Sequence, residues 1–418
     1  MFRFVHAADI HLDSPLRGLE SYPDAPVEQI RGAARRAFDN LMTLAIDEKA
    51  AFVLLAGDLF DGDWKDYNTG LYFTHRMGRL REAGIPVFLV SGNHDAASPL
   101  TRALSLPENV TLFSHKKPET KTLQELGVAI HGQSFAARSV TEDLSRGYPQ
   151  ALPGLCNIGL LHTSLTGRAG HEPYAPCTLE GLVSKGYDYW ALGHVHQREV
   201  VHEHPWVVFS GNIQGRHIRE AGARGCQLVT VEDGRIAEVD FRELDVLRFA
   251  LCQVDLNHLE NLDQVTDRVR EAMERVRQGA DGRPLAVRVI LEGKSSLHEQ
   301  LHRGAEKLRE EFRAVAADLG DVWLEKFRVA TTPSSGAGEP VEGDAPLAGL
   351  MRAVAELRLD SASLTELVPE FEALRARLPA ELLGDADPFN PDEDGLTAVR
   401  DEVREELMAR LTEGGHDH

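Results

Sequence analysis

Five short segments carry side chains suited to holding divalent cations: Asp9-Ile10-His11, Gly57-Asp58-Leu59-Phe60-Asp61, Gly92-Asn93-His94-Asp95, His162-Thr163 and Gly193-His194-Val195-His196. Carboxylate and amide oxygens mixed with imidazole nitrogens favour hard or borderline ions such as Mn²⁺, and no cysteine in these segments points to a thiolate zinc site. Asp58 can bridge two ions, because a carboxylate between them offsets their mutual repulsion. Asp9, His11 and His196 would complete one site, and Asn93, His162 and His194 the other. Two ions about 3.5–4 Å apart clamp the attacking and leaving oxygens of a phosphoryl transfer. Two such ions with two aspartates leave the pocket net positive, which suits an anionic phosphodiester. His94, one residue past Asn93, can reach the scissile phosphate or leaving oxygen as a transition-state stabiliser or proton donor. Asp61, with Asp95 as second candidate, could orient His94 through its other ring nitrogen.

A lone Asp-x-His or Gly-Asp is common by chance. Here five such segments occur, and each follows directly on an apolar run that reads as a buried strand: residues 2–8, 51–56, 86–90, 157–161 and 189–192. Ligands of open α/β sheets bind at the carboxyl ends of strands, so these loops are expected to meet at one point. Gly57, Gly92 and Gly193 allow the tight turns and close backbone approach that such a meeting requires. Between the first two strands, Ile30, Ala34, Phe38, Leu41 and Ala45 recur at helical spacing, and a second helix is predicted over 68–83.

The 418 residues exceed one ordinary core, and two or three domains are expected. Residues 1–245 read as an α/β domain and 246–332 as a smaller α+β unit with a β-α-β-α-β order. Its second helix is predicted over 297–319. Residues 333–346, rich in Thr, Pro, Ser, Gly and acid, read as a linker, and 347–418 as a helical, acidic region. The net charge is −21, and from Pro333 onward 20 acidic residues face 7 basic ones. The acidity thus lies mostly in the tail, which weakens the case for tight nucleic-acid binding by this chain alone. No apolar run approaches the roughly 20 residues that span a bilayer, and residues 2–8 are too short for a signal peptide. Cys156, Cys177, Cys226 and Cys252 show no CxxC spacing and read as reduced thiols. These features suit a cytoplasmic protein.

The order D-x-H, GD, GNH[DE], H, GH-x-H resembles that of the calcineurin-like metallophosphoesterase superfamily over roughly residues 1–215. The resemblance implies an α/β fold, a four-layer αββα sandwich, and assigns the metal-ligand roles given above to the matching positions. A narrower resemblance lies in Ala8-Asp9-Ile10-His11-Leu12-Asp13-Ser14-Pro15, in residues 61–70 and in Gly211-Asn212-Ile213-Gln214-Gly215-Arg216-His217. These segments look like bacterial YhaO-type proteins of the SbcD-like DNA-repair exonuclease branch. That branch implies a Mn²⁺-dependent nuclease with a capping domain, here 246–332, and an SbcC-like coiled-coil ATPase partner docked through C-terminal helices, here in 347–418. It also suggests a homodimer.

Among other residues, Arg216 is the first candidate for holding substrate phosphate, followed by His217, Arg168 and Arg198. His6, inside the first strand, is expected to be a satisfied core histidine. His298 and His302 stand four apart on a helix without a third ligand and read as surface residues. The leading expectation is a DNA nuclease, exonucleolytic with endonucleolytic cleavage as a second mode. A metallophosphoesterase acting on a small phosphoester or cyclic nucleotide, and an adaptor subunit of the ATPase complex, are the alternatives.

Overall fold

The computed structural model describes residues 1–14, 32–60, 67–97, 105–165 and 174–334. Its contacts divide the chain into two units, one of residues 1–255, 263–292 and 306–330, the other of 256–262, 293–305 and 331–418. Everything that bears on the site lies in the first.

Two six-stranded sheets dominate that unit. The first contains β1 (Phe2–Ala7), β2 (Val53–Leu55), β3 (Val87–Leu89), β4 (Val110–Leu112), β11 (Gly225–Glu232) and β12 (Arg235–Glu243), in the order β12-β11-β1-β2-β3-β4. From β1 to β4 the pairing is parallel, in register Val5–Val53–Val87–Val110. The second contains β5 (Glu119–Leu123), β6 (Val128–Gly132), β7 (Cys156–His162), β8 (Tyr189–Gly193), β9 (Glu199–Glu203) and β10 (Trp206–Phe209), in the order β5-β6-β7-β8-β10-β9.

The period of two along each strand sorts side chains into layers. Phe4, Leu54, Phe88, Ile158, Leu160, Tyr189 and Ala191 form one buried cluster between the sheets. Their neighbours Val5, Ala7, Val53, Leu55, Val87 and Leu89 face the other way, against helices α1 (Ala33–Asp47) and α2 (Tyr67–Glu82). Phe38, Leu41, Met42 and Ala45 supply the apolar stripe of α1. On the outer face of the second sheet, Trp190, Leu192, Val207 and Phe209 pack with Leu182 of α4 (Leu179–Val183). The result is the helix-sheet-sheet-helix sandwich. A short helix, α3 (Asn93–Ala97), follows β3 directly.

A third sheet, β13-β14-β15, is built from Arg248–Asp255, Leu285–Ser295 and Val322–Pro333, with β13 and β14 parallel. Helix α5 (Leu262–Gln278) buries Val265, Val269, Ala272 and Met273, a helical stripe. The helix predicted over 297–319 is two, α6 (His298–Arg303) and α7 (Ala305–Leu319), broken at Gly304. Phe312 of α7 meets Phe327 of β15 with ring centroids 5.1 Å apart. The predicted tail helices and all but the start of the linker lie outside the described residues. Among those residues no helix is long and apolar enough to cross a membrane, and the four cysteines are buried free thiols.

Candidate metal centre

The five motif segments leave adjacent strands at their carboxyl ends. β1 ends at Ala7, two residues before Asp9, and β2 ends three residues before Asp58. Asn93 and His94 open α3, His162 closes β7, and His194 and His196 follow β8. Backbone bonds sew the loops together: the amides of Asp9, His11 and Leu12 donate to the carbonyls of Gly57, Asp58 and Leu59 at 3.0, 3.0 and 2.8 Å. Thr163 N–H donates to the Gly193 carbonyl at 3.1 Å, joining the two loops of the second sheet.

That convergence is held in costly backbone conformations. Asp9, His11, Asp58 and His194 all have positive φ, at 50°, 45°, 51° and 98°. Non-glycine residues adopt this region at a cost of order 1–3 kcal/mol each, and such strain collects at functional sites. Gly92 answers a different constraint. A Cβ there would lie 2.3 Å from Asp58 Oδ1 and 2.8 Å from His162 Cε1, so only glycine lets the β3–α3 turn come this close.

The side chains bring acceptor atoms face to face. His162 Nδ1 lies 2.8 Å from the Ala56 carbonyl oxygen, which can only accept, so Nδ1 carries the hydrogen. Its Nε2 then faces Asn93 Oδ1 at 3.0 Å and Asp58 Oδ2 at 3.4 Å. His196 repeats the pattern: Nδ1 donates to Glu220 Oε1 at 2.7 Å, and Nε2 lies 3.3 Å from Nε2 of His11. Donor atoms of Asp9, His11 and His196 all lie within 4.8 Å of one another, as do those of Asp9, Asp58 and His162. Asp9 is common to both groups. The His194 ring stands 5.2 Å from that of His162, and its amide donates to both oxygens of Asp9 at 3.1 Å. Lone pairs packed this way repel unless a cation or a proton lies between them, so the residues fit a pair of divalent ions.

The electrostatics show protons taking that part in the bare chain. Burial acts to lower the His162 pKa, but Asp58, Asp9 and the Ala56 carbonyl outweigh it and push it up to about 9. Burial acts to raise Asp58, but His162, His94 and His11 hold it well below the usual carboxylate range. Asp9 goes the other way, raised by burial and by the neighbouring Asp58 charge against the pull of His196 and His162. Two carboxylates this close divide the charge unequally.

His94 lies beside this cluster. Its ring is edge-on to His11 with centroids 5.1 Å apart, and its amide donates to Asp58 Oδ1 at 3.0 Å. Asp61 lies outside the described residues, as does Arg168. Asp95, the second candidate for orienting His94, is engaged elsewhere. Its Oδ1 accepts from the amides of Leu59 and Phe60 at 3.0 Å each, and Oδ2 accepts from the Gly92 amide at 3.1 Å. An acid reaching back three residues at the head of a helix is half of a capping box, the signal that would have identified this role.

Of the phosphate-binding candidates, Arg216 directs Nη2 at Glu220 Oε1, 3.2 Å away. His217 is 44% exposed with Nε2 3.7 Å from the same oxygen. Arg198 lies over the Phe241 ring, 5.0 Å from its centroid. The buried Glu220 is the residue the sequence reading missed, since nothing in its spacing tied it to His196. Burial acts to raise its pKa, but Arg216, His196 and His217 hold it well below the usual range. His6 is the core histidine expected: Tyr189 hydroxyl lies 2.9 Å from Nδ1, and Nε2 donates to the Leu192 carbonyl at 3.2 Å. Burial lowers its pKa to about 3.

Comparison with known proteins gives two family matches. Residues 2–198 match the calcineurin-like phosphoesterase family, and residues 249–332 match the middle domain of metallophosphoesterase YhaO. The chain is 38% identical over 294 residues to the uncharacterized metallophosphoesterase YhaO of Bacillus subtilis, covering 69% of this chain and 71% of that protein. It is 27% identical over 277 residues to the DNA double-strand break repair protein Mre11 of Methanopyrus kandleri, covering 58% and 57% of the two chains. A protein of the same name from Sulfurisphaera tokodaii is 27% identical over 276 residues, with 62% and 67% covered.

Proposed function

The chain belongs to the calcineurin-like metallophosphoesterases, metal-dependent hydrolases of phosphoesters, and from that premise we propose that it is a Mn²⁺-dependent DNA nuclease acting at ends during repair. The observation that carries this reading is the pair of acceptor clusters joined at Asp9, which call for two cations where the loops of both sheets meet. The similarity to two proteins named for DNA double-strand break repair supports DNA over a small phosphoester.

In this reading Asp9, His11, Asp58, Asn93, His162, His194 and His196 hold two ions, with Asp58 and Asp9 supplying the shared negative charge. The ions supply positive charge that stabilises the phosphoryl oxygens in the transition state. The Ala56 carbonyl and Glu220 keep the Nε2 atoms of His162 and His196 aimed inward by holding their Nδ1 hydrogens. His94, next to His11 yet outside the ligand set, gives a proton to the leaving oxygen or a hydrogen bond to the phosphate. His217 and Arg216 line the approach from the loop after β10. Residues 246–332 form a cap that shapes the substrate path, and 347–418 dock an SbcC-like ATPase in the cytoplasm. The catalytic unit works as a homodimer.

The test sets end-labelled linear duplex DNA against p-nitrophenyl phosphate and a cyclic nucleotide, each with Mn²⁺. Progressive loss of label from the duplex, abolished by Asp58→Ala, is the expected result. Turnover of the small esters with intact DNA would assign the chain to small-molecule hydrolysis.

A further inference from the structure

We propose that Glu220 is the positioning residue for His196, fixing which ring nitrogen that histidine presents and thereby the strength of one ion site; this rests on the two-metal reading above. Both oxygens of its carboxylate are committed. Oε1 accepts from His196 Nδ1 at 2.7 Å and from Arg216 Nη2 at 3.2 Å. Oε2 accepts from the Arg216 backbone amide at 2.7 Å and from Asn212 Nδ2 at 2.9 Å. Arg216 Nη2 also comes within 3.1 Å of His196 Nδ1, but both are donors, and the carboxylate they share is what holds them together.

His196 needs such a partner more than His162 does. His162 is fully buried in β7 and packed against Phe135, whereas the His196 side chain is 26% exposed in a loop. A loop imidazole can turn about its two side-chain torsions and present either nitrogen. An ionised carboxylate on Nδ1 selects the Nδ1–H tautomer, points Nε2 inward and makes it a stronger donor. The neutral Ala56 carbonyl does the same for His162 more weakly, because it carries no full charge.

The carboxylate is itself held by a built frame. Arg224 donates from Nη1 to the His196 carbonyl at 2.6 Å and from Nε to the Glu220 carbonyl at 3.1 Å, clamping both ends of the pair. Gly222 N–H donates to the Phe249 carbonyl at 2.9 Å, and Gln214 Nε2 donates to Leu247 at 2.6 Å. A Cβ on Gly215 would sit 2.8 Å from the Glu220 carbonyl oxygen, so the loop closes tightly over this residue. The frame therefore runs from a metal ligand to β13 of the third sheet. Arg216, first among the candidates for substrate phosphate, serves here as an anchor of Glu220.

The experiment is a Mn²⁺ titration of Glu220→Gln and wild-type protein followed by electron paramagnetic resonance. Wild type is expected to take up two ions; in E220Q one should weaken by about 10- to 100-fold and the other stay as it was. E220D, which keeps the charge on a shorter arm, should recover part of the loss. Because E220Q could loosen the whole loop, the tautomer of His196 is read independently by nitrogen-15 NMR of histidine-labelled, metal-free wild-type protein. An Nδ1–H form is expected. Equal weakening of both sites, or an Nε2–H form of His196, overturns the proposal and leaves Glu220 as loop support. Wild-type protein that binds no Mn²⁺ overturns the two-metal reading, and the proposal with it. Two wild-type ions that bind E220Q equally well overturn the proposal alone.

Discussion

Asp95 Oδ1 accepts the Phe60 amide at 3.0 Å, across 35 residues of sequence. With the Leu59 and Gly92 amides on the same carboxylate, this bond fastens the loop that carries Asp58 to the turn that carries Asn93 and His94. Burial and the nearby Asp58 charge push the Asp95 pKa up to about 7, against the pull of the three amides. A raised acid binds its proton more tightly when folded. In metal-free protein its contribution is therefore fully present below pH 4 and lost as pH rises through about 7. Asp95→Asn keeps an acceptor for Leu59 and Phe60 but turns an NH₂ toward the Gly92 amide. Thermal melts in chelator should show a loss of about 1–3 kcal/mol and a flatter decline between pH 4 and 7. An unchanged slope would show that other groups carry it.

The His162 proton makes metal binding pH-dependent. With its pKa pushed up to about 9, Nε2 is protonated at neutral pH in the bare chain, and an incoming ion must displace that proton. Mn²⁺ affinity should climb as pH rises toward 9, by about tenfold per unit if one proton leaves, and level off above it. Calorimetry in buffers of different ionisation enthalpy checks this. Heats that do not vary with buffer would mean no proton is released, and the Nε2 assignment fails.

How much of this was visible in the sequence follows from where the signals lie. Asp9, Asp58, Asn93, His162, His194 and His196 each follow an apolar run, and those runs are central strands buried on both faces. Such strands announce themselves by continuous hydrophobicity. The edge strands do not: β5 reads Glu-Thr-Lys-Thr-Leu and β12 is half-exposed along its length, so neither has an apolar run to find. Gly304 ends α6 because the chain turns there, whereas the apolar spacing of 297–319 continues through it. Glu220 was illegible for another reason. Its partnership with His196 depends on the path of the loop between them, and no local spacing encodes that path.

Gly92 gives a steric test. A methyl group there meets Asp58 Oδ1 at 2.3 Å, and neither the carboxylate nor the His162 ring behind it can retreat without leaving the cluster. Gly92→Ala should fold, since Gly92 sits in the turn between β3 and α3 and contributes no side chain to the core between the sheets, yet lose activity on the order of 100-fold or more through displaced ligands. Circular dichroism with a Mn²⁺ titration separates the two effects. A variant that binds both ions normally would contradict the packing described.

His94 separates chemistry from metal binding. Its ring sits against His11, and its amide holds Asp58 Oδ1 through the backbone, a bond that any residue but proline keeps at this position. His94→Gln therefore removes the imidazole and leaves the ion cluster's scaffold in place. If the imidazole protonates the leaving oxygen, kcat on linear duplex DNA should fall by roughly 10²- to 10⁴-fold, with Mn²⁺ affinity unchanged. A substrate whose leaving group needs no proton, such as a p-nitrophenyl phosphodiester, should lose far less. Equal losses on both substrates would assign His94 to stabilising charge on the phosphate, since that service is owed to every ester alike.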